Sequence, residues 1–137
     1  MSKEPVILIV EDNEANQLLA RAVLEREGYE VDVAATPAEA LNRLNARVPD
    51  LILMDIQLPG QDGLSFTRQL KASALTAAIP VVALTAHAMR GDREESLRAG
   101  CAGYIAKPID TRSLGDQVRE FLASNDARRT GDQVVSA

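Results

Sequence analysis

The sequence is poor in cysteine and in aromatic residues: its 137 residues include one cysteine, no tryptophan, two tyrosines and two phenylalanines. A single cysteine can form neither an intramolecular disulfide nor a cysteine-rich zinc site. A chain near this length buries about 68–70% of the surface that it exposes when unfolded. The composition therefore predicts one globular domain that is stabilised by its hydrophobic core alone.

Long apolar runs and an excess of positive charge are also missing. No stretch approaches the roughly 18 consecutive apolar residues of a membrane-spanning helix, and the segment before Val6 lacks the apolar region of a signal peptide. The 15 Lys and Arg residues face 20 Asp and Glu residues, for a net charge of -5. Without a membrane span or a signal peptide, we expect a cytoplasmic protein that does not insert into a membrane. Because binding to phosphate backbones needs clustered positive charge, we do not expect direct nucleic-acid binding.

Apolar runs alternate with helical patterns along the chain. Five runs predict strands: Val6–Val10, Glu30–Ala34, Leu51–Asp55, Pro80–Leu84 and Gly103–Ala106. Five helices are predicted between and after them: Glu14 to about Glu27, Pro37 to about Arg47, one that follows Asp62-Gly63 and ends near Ser73, Arg90 to Ala99, and one that Asp110 caps and that carries Leu114, Val118, Phe121 and Leu122. This alternation predicts a doubly wound α/β fold, in which helices cover both faces of a parallel five-stranded sheet.

Local signals support the first two helices. Thr36, Pro37 and Glu39 are typical of an N-cap, a first helical position and a capping box, and Gly28 suits the end of the first helix. Apolar side chains of the first helix recur with helical spacing, which predicts that one face is buried. The predicted buried residues are Ala15, Leu18, Leu19, Ala22 and Val23.

Charged and polar residues follow the strands at their carboxyl ends. Glu11 and Asp12 follow the first strand, Asp55 ends the third, Thr85 ends the fourth, and Lys107 follows the fifth. In a doubly wound sheet these ends form the edge where ligands bind. Clustered carboxylates repel one another unless a cation joins them, and all-oxygen ligands suit Mg²⁺. The pattern therefore predicts a Mg²⁺-dependent phosphoryl site with an aspartate nucleophile.

Four segments together resemble the receiver domains of two-component response regulators. They are IVEDN (9–13), LMDIQLP (53–59) with Asp62-Gly63, ALTAH (83–87) and GYIAKPI (103–109), within a resemblance that covers about residues 5–123. The resemblance implies a flavodoxin-like three-layer sandwich with strand order 2-1-3-4-5. It also implies that Asp55 accepts a phosphoryl group from a histidine kinase or a histidine phosphotransfer protein.

The resemblance also implies roles for the residues around Asp55. Asp12, Asp55 and the backbone carbonyl of Gln57 would bind Mg²⁺, and Glu11 would act through water. Thr85 and Lys107 would hold the phosphoryl oxygens, next to a cis Lys107-Pro108 bond. Thr85 and Tyr104 would form a switch that changes the face of the fourth helix, fifth strand and fifth helix, which a downstream protein would read. Gln57 and His87 would tune the phosphoryl lifetime, although an exposed loop residue without such a role is an equally open interpretation of His87.

The expected protein is a stand-alone receiver over residues 1–123, monomeric or weakly dimeric, with a polar tail over 124–137. It would be a signalling phospho-acceptor rather than an enzyme, although it would support its own phosphorylation and dephosphorylation. A receiver excised from a hybrid histidine kinase or a phosphorylation-independent adaptor remain alternatives.

Two other classes fit the sequence less well. Phosphatases of the haloacid-dehalogenase type need a second acid two residues after the nucleophile, where this chain has Gln57. A nucleotide-binding fold would place a phosphate-cradling loop after the first strand, where this chain has Glu11 and Asp12. Cys101 is expected to be buried, and Asn16 faces either the acidic site, a helix cap or solvent.

Overall fold

The computed structural model describes residues 4–58, 60–86, 91 and 93–124, and every structural statement below concerns these residues. The strands are β1 (Val6–Val10), β2 (Glu30–Ala34), β3 (Leu51–Asp55), β4 (Val81–Thr85) and β5 (Gly103–Ala106). The helices are α1 (Glu14–Arg26), α2 (Pro37–Ala46), α3 (Gly63–Ala72) and α4 (Arg93–Ala99). A further helix, α5, covers residues 114–124.

All strand pairs are parallel, and the five strands form one sheet in the order β2-β1-β3-β4-β5. This confirms the predicted doubly wound, flavodoxin-like fold and its strand order. Because the order changes direction between β1 and β3, the crevice at the carboxyl ends of these strands is the expected ligand position.

Alternate side chains of each strand enter two separate layers of the core. In β1, Ile7 and Ile9 pack with residues of α1 and α5 on one face of the sheet. Leu8 and Val10 pack on the other face with residues of α2, α3 and α4. Strands that are buried on both faces need near-continuous apolar sequences, and this explains the runs VILIV and LILM.

The predicted cap of α2 is confirmed with one difference. The Thr36 side chain accepts a hydrogen bond from the backbone N–H of Glu39, and Pro37 opens the helix. The Glu39 carboxylate accepts the backbone N–H of Ala35 at 2.6 Å, whereas a capping box would use the N–H of Thr36. Gly28, just beyond α1, has a φ of 97°, which fits the predicted glycine at this helix end.

The predicted buried face of α1 is wrong apart from Val23. Leu18 and Leu19 are 61% and 39% exposed, and the buried residues of the helix are Ala20, Val23 and Leu24. Two stripes with helical spacing overlap in this segment, and the inner one begins with the polar residues Asn16 and Gln17. Both of these polar side chains bind Glu11 and so belong to the inner face of the helix. A count of apolar residues therefore selects the wrong stripe.

Other boundaries differ by small amounts. Strand β4 begins at Val81 instead of Pro80, since proline has no N–H to give to the sheet. The side chain of Asp110 accepts the N–H of Arg112 in a turn that precedes α5, so this cap lies farther from the regular helix than predicted. Three parts of the sequence predictions lie outside the described residues: His87, two positions at the start of the predicted fourth helix (Arg90 and Asp92), and the predicted tail beyond residue 124.

Candidate acidic site at the carboxyl edge of the sheet

Three carboxylates meet at the carboxyl ends of β1 and β3. Glu11 and Asp55 are only 1% and 3% exposed, whereas Asp12 is exposed. One carboxylate oxygen from each of the three residues lies within 4.8 Å of the others. The sequence prediction that these residues converge is therefore confirmed as geometry, although they come from two separate segments of the chain.

Lys107 joins two of these carboxylates. Its Nζ atom lies 3.0 Å from Asp55 Oδ2 and 3.0 Å from Glu11 Oε1. The lysine follows β5, and its backbone N–H donates to the carbonyl of Thr85 at 2.8 Å. The two buried acids thus share one ammonium group, which reduces the cost of burying their charges.

Thr85 lies on the strand between Asp55 and Lys107. In the sheet register Asp55 pairs with Leu84, and Thr85 pairs with Ala106, the residue before Lys107. Thr85 is 2% exposed. Strands β3, β4 and β5 therefore bring an acid, a hydroxyl and an ammonium group to one edge, in the order that the sequence predicts.

The loop after β3 fixes the position of Asp55. Its Oδ1 atom accepts the backbone N–H of Gln57 at 3.0 Å. Gly63 at the start of α3 donates its N–H to the carbonyl of Ile56 at 2.7 Å. A Cβ atom at Gly63 would overlap the carbonyl oxygen of Asp55 and lie 2.8 Å from its carbonyl carbon. Only glycine allows this close approach of helix and strand end.

Sequence reasoning did not identify Gly63 as a site residue. Asp62-Gly63 is recognisable as the start of a helix, and Asp62 is indeed the N-cap of α3, since its side chain accepts the N–H of Ser65. The contact between Gly63 and Asp55 depends on the angle at which α3 leaves the sheet, and no local signal reports that angle.

Glu11 has its own set of donors. Its Oε2 atom accepts the N–H of Asn13 at 3.3 Å, and its Oε1 atom accepts Nδ2 of Asn16 at 3.1 Å. The side chain of Gln17 donates to the backbone carbonyl of Glu11. The open question about Asn16 is therefore resolved: its amide faces the acidic site.

Burial and neighbouring charges change the protonation of this site. Burial raises the pKa of Glu11 above its ordinary value, and hydrogen bonding to Asp55 raises it further, while Lys107 acts in the opposite direction. Burial acts to lower the pKa of Lys107, but the bonds to Asp55 and Glu11 outweigh it and raise this pKa. The lysine therefore stays protonated at neutral pH, and Glu11 and Asp55 share its ammonium group.

The donor set fits a hard divalent cation. Carboxylates and a nearby backbone carbonyl are oxygen ligands, which Mg²⁺ prefers. Among the described residues, one ammonium group, that of Lys107, contacts two of the three carboxylates. The exposed position of Asp12 leaves the cluster open to solvent, and Mg²⁺ usually keeps several waters.

The remaining predicted site residues lie around this cluster. The side chain of Gln57 is exposed beside Asp55, and the Lys107-Pro108 bond is cis, as predicted. Tyr104 is half-buried against the core together with Ile56 and Leu58. The Arg93 guanidinium lies 5.7 Å from the centre of the tyrosine ring.

The fold and the acidic edge define a flavodoxin-like α/β protein with an oxygen-ligand site at the crossover between β1 and β3. The sequence profile of the response regulator receiver domain matches residues 7–119. The chain belongs to this family, and the two-component signalling class that the four segments suggest is confirmed.

Relatives and solved structures agree with this assignment. The chain is 44% identical to the polar-differentiation response regulator DivK of Brucella ovis over 116 residues, which are 85% of this chain and 94% of that protein. A CheY-like receiver domain protein from Methanospirillum hungatei has 32% identity and a TM-score of 0.83, with 92% of this chain and 99% of that chain covered.

A second similar structure contains a metal ion. The receiver domain of the sensor histidine kinase PA1611 from Pseudomonas aeruginosa is 38% identical, with a TM-score of 0.79 over 88% of this chain and 99% of that chain. That structure has a magnesium ion coordinated in its active-site cleft. In the present chain, none of the described helices has the length and apolar character needed to cross a membrane.

Proposed function

We propose that this chain is a single-domain response regulator in which Asp55 accepts a phosphoryl group from a histidine kinase or a histidine phosphotransfer protein. The observation that carries the proposal is the position of Asp55. Its carboxylate is 3% exposed at the end of β3, 3.0 Å from Lys107, and beside two further acids. A lone structural aspartate would need neither a second buried acid nor a shared lysine.

The transfer is a displacement at phosphorus. A carboxylate oxygen of Asp55 attacks the phosphorus of the donor, a new P–O bond forms, and the P–N bond to the donor histidine breaks. The electron pair of that bond stays on the imidazole nitrogen, which takes up a proton. Phosphoryl transfer depends mainly on positioning and charge stabilisation, and the Gln57 N–H and Lys107 hold the two oxygens of Asp55 from different sides.

Asp12, Asp55 and the backbone carbonyl of Gln57 are the proposed ligands of Mg²⁺, and Glu11 is proposed to act on it through water. When bound, Mg²⁺ would neutralise the charge of the acids and of the incoming phosphoryl oxygens. Asp12 is exposed and therefore accessible to an ion from solvent. The magnesium ion in the PA1611 receiver domain supports this choice of metal.

Thr85 and Lys107 are the proposed contacts of the phosphoryl oxygens, and Thr85 with Tyr104 the proposed switch. A phosphoryl group adds a charge of about -1.5 to -2 and strong acceptors, which favours one of two arrangements of nearby side chains. The face formed by α4, β5 and α5 would transmit this change to a downstream protein. This face includes Leu97, which is 50% exposed, and the half-buried Tyr104.

The exposed face of α1 supports a protein as the phosphoryl donor. Leu18 and Leu19, at 61% and 39% exposure, lie about one turn below the acidic edge because α1 begins directly after it. An apolar surface next to the acceptor suits a docked helical partner.

Leu18→Glu should slow transfer from a phosphorylated histidine phosphotransfer protein and leave the reaction with acetyl phosphate unchanged. The control is Leu75→Glu, a leucine that is 87% exposed in the loop before β4.

The proposed receiver domain covers most of the chain. The receiver would span residues 1–123, and the polar segment 124–137 would follow it without contributing to the site.

Gln57 and His87 would influence the water that hydrolyses the phosphoryl group. Exchange of either residue should change the lifetime of the phosphoryl adduct and have little effect on the free energy of unfolding. A phosphoryl half-life in His87→Ala equal to that of wild type would contradict this role of the histidine.

Intact mass measurement with a small phosphodonor tests the function. The purified chain is incubated with acetyl phosphate and Mg²⁺, beside the Asp55→Asn variant and a sample that contains excess EDTA. One phosphoryl adduct in the wild-type sample with Mg²⁺, and none in the other two, is the expected result.

Two results would contradict the proposal. An adduct of equal yield in Asp55→Asn would place the acceptor elsewhere. No adduct with acetyl phosphate and none with a phosphorylated histidine phosphotransfer protein would favour the second candidate, a phosphorylation-independent adaptor that uses the same fold.

A further inference from the structure

The side chains of Asn16 and Lys107 both contact the same carboxylate oxygen of Glu11. The Nδ2 atom of Asn16 is 3.1 Å from Glu11 Oε1, and Lys107 Nζ is 3.0 Å from the same oxygen. The oxygen therefore receives one neutral donor and one charged donor. Glu11 is 1% exposed, so its oxygens depend on protein donors for their hydrogen bonds.

The position of Asn16 is itself fixed by the start of α1. Asn13 is the N-cap of this helix, and its Oδ1 atom accepts the backbone N–H of Asn16 at 2.9 Å. The backbone N–H of Asn13 in turn donates to Glu11 Oε2. Two asparagines of one helix start therefore hold both oxygens of Glu11, one through a backbone group and one through a side chain.

We propose that Asn16 is a positioning residue, which orients the Glu11 carboxylate and thereby sets the affinity of the acidic site for Mg²⁺. This inference rests on the proposed function. Lys107 is shared between Glu11 and Asp55, so its bond to Glu11 weakens whenever the lysine turns toward a phosphoryl oxygen. The amide of Asn16 carries no charge that a phosphoryl group would attract, and it keeps Glu11 in place in both situations.

The direct test is the dissociation constant of Mg²⁺ for the unphosphorylated chain, measured by calorimetry with magnesium chloride. Loss of groups that orient metal-binding carboxylates typically weakens metal affinity by about 10- to 100-fold. Because Glu11 acts through water, we expect the lower value, about tenfold, for Asn16→Ala. Asn16→Leu keeps the shape of the side chain without a donor and should weaken binding to the same degree.

A matched control separates this role from a general effect on a helix. Asn42→Ala makes the same exchange at an exposed position of α2 and should leave the Mg²⁺ dissociation constant unchanged. Thermal unfolding of each variant, without metal, shows that the chain is folded during the titration. Alanine is a good helix former, so Asn16→Ala should retain the fold.

A double-mutant cycle with Glu11→Ala tests whether Asn16 acts through Glu11. The tenfold effect of Asn16→Ala should disappear in the Glu11→Ala background, because the carboxylate that Asn16 orients is gone. An equal effect in both backgrounds would overturn the inference, and so would wild-type affinity in Asn16→Ala. Absence of Mg²⁺ binding to the wild-type chain would contradict the proposed function as well, so the two failures are distinguishable.

Discussion

Two half-buried lysines lie at opposite edges of the sheet and face different partners. Lys107, at the carboxyl edge, lies 3.0 Å from each of two buried carboxylates. Lys71, in the last turn of α3 at the amino edge, donates to the backbone carbonyls of Ala77 and Ile79 at 3.0 and 2.6 Å. Both residues are lysines at the end of an element, and their surroundings give them different chemistry.

The pKa values of these lysines move in opposite directions. Burial lowers the pKa of Lys71, and the nearby thiol of Cys101 opposes this shift only in part. The pKa of Lys107 is raised, since the bonds to Asp55 and Glu11 outweigh burial. The two half-buried lysines thus differ in the charge of their acceptors: the carbonyls around Lys71 are neutral, and the carboxylates beside Lys107 are acidic groups that raise its pKa.

The largest effect is expected where α3 meets the acidic edge. Gly63→Ala forces a Cβ atom into the backbone of Asp55, and overpacking of this kind typically costs about 1–3 kcal/mol. We expect about 3 kcal/mol of lost unfolding free energy, since the neighbour is rigid backbone. Urea unfolding measures this loss, and the rate of adduct formation with acetyl phosphate should fall as Asp55 moves.

Gly60→Ala is the matched control for this experiment. Gly60 has a φ of 81°, and a Cβ atom there would meet open space. Only backbone strain of about 1–2 kcal/mol is expected, with adduct formation unchanged. If both variants lose the same stability and react equally fast, the contact between Gly63 and Asp55 has no role in the site.

Exchange of the two lysines for methionine tests the comparison itself. Lys107→Met should slow the reaction with acetyl phosphate by about 100-fold, the effect of losing one donor to a developing charge. Lys71→Met should leave this rate unchanged and lower the free energy of unfolding by about 1–3 kcal/mol, since two carbonyls lose their donor. A slow reaction in Lys71→Met would contradict the division between structural and site lysine.

The sequence was sufficient to predict features that depend on short segments. Strands that are buried on both faces need uninterrupted apolar runs, so β1 and β3 were recognisable from VILIV and LILM. The acids follow these two runs, and Lys107 follows β5. The rule that ligands bind at the carboxyl edge brings Asp12, Asp55 and Lys107 together.

Contacts between elements were not predictable in the same way. The inner face of α1 was misassigned because Asn16 and Gln17 count as polar in the sequence, yet both bind Glu11 in the fold. The role of Gly63 was missed for a related reason, since it depends on the angle between α3 and β3. Both errors concern residues that support the site rather than residues that carry its charge.

The N-cap of α3 should produce a smaller, pH-dependent effect. The N–H of Ser65 lowers the pKa of Asp62 below its ordinary value. Because the folded-state pKa is the lower one, the stabilisation is complete above the unfolded value, about pH 4, and is lost as pH falls through the folded pKa. Asp62→Ala should cost about 1 kcal/mol at pH 7.

Asp62→Asn separates the cap from its charge. Asparagine also caps helices but does not titrate, so the difference in unfolding free energy between wild type and this variant should shrink below about pH 4. Urea unfolding at several pH values measures it. A difference that is constant with pH would mean that the charge of Asp62 contributes nothing at the start of α3.

Cys101 lies near Lys71 at the amino edge and should be an unreactive thiol. Burial raises the pKa of this thiol to about 11, and reactivity requires the thiolate. At pH 8 the folded chain should react with a disulfide reagent at least about 100-fold more slowly than the urea-unfolded chain. Equal rates in the folded and the unfolded chain would contradict protection of the thiol by burial.

Phosphorylation of Asp55 is tested most directly by identifying the modified residue. The chain is treated with acetyl phosphate and Mg²⁺, the adduct is reduced with borohydride, which converts an aspartyl phosphate into homoserine, and peptides are sequenced by mass spectrometry. We expect homoserine at position 55 and unmodified aspartate at position 12. Homoserine at position 12, or at any aspartate other than Asp55, would contradict it.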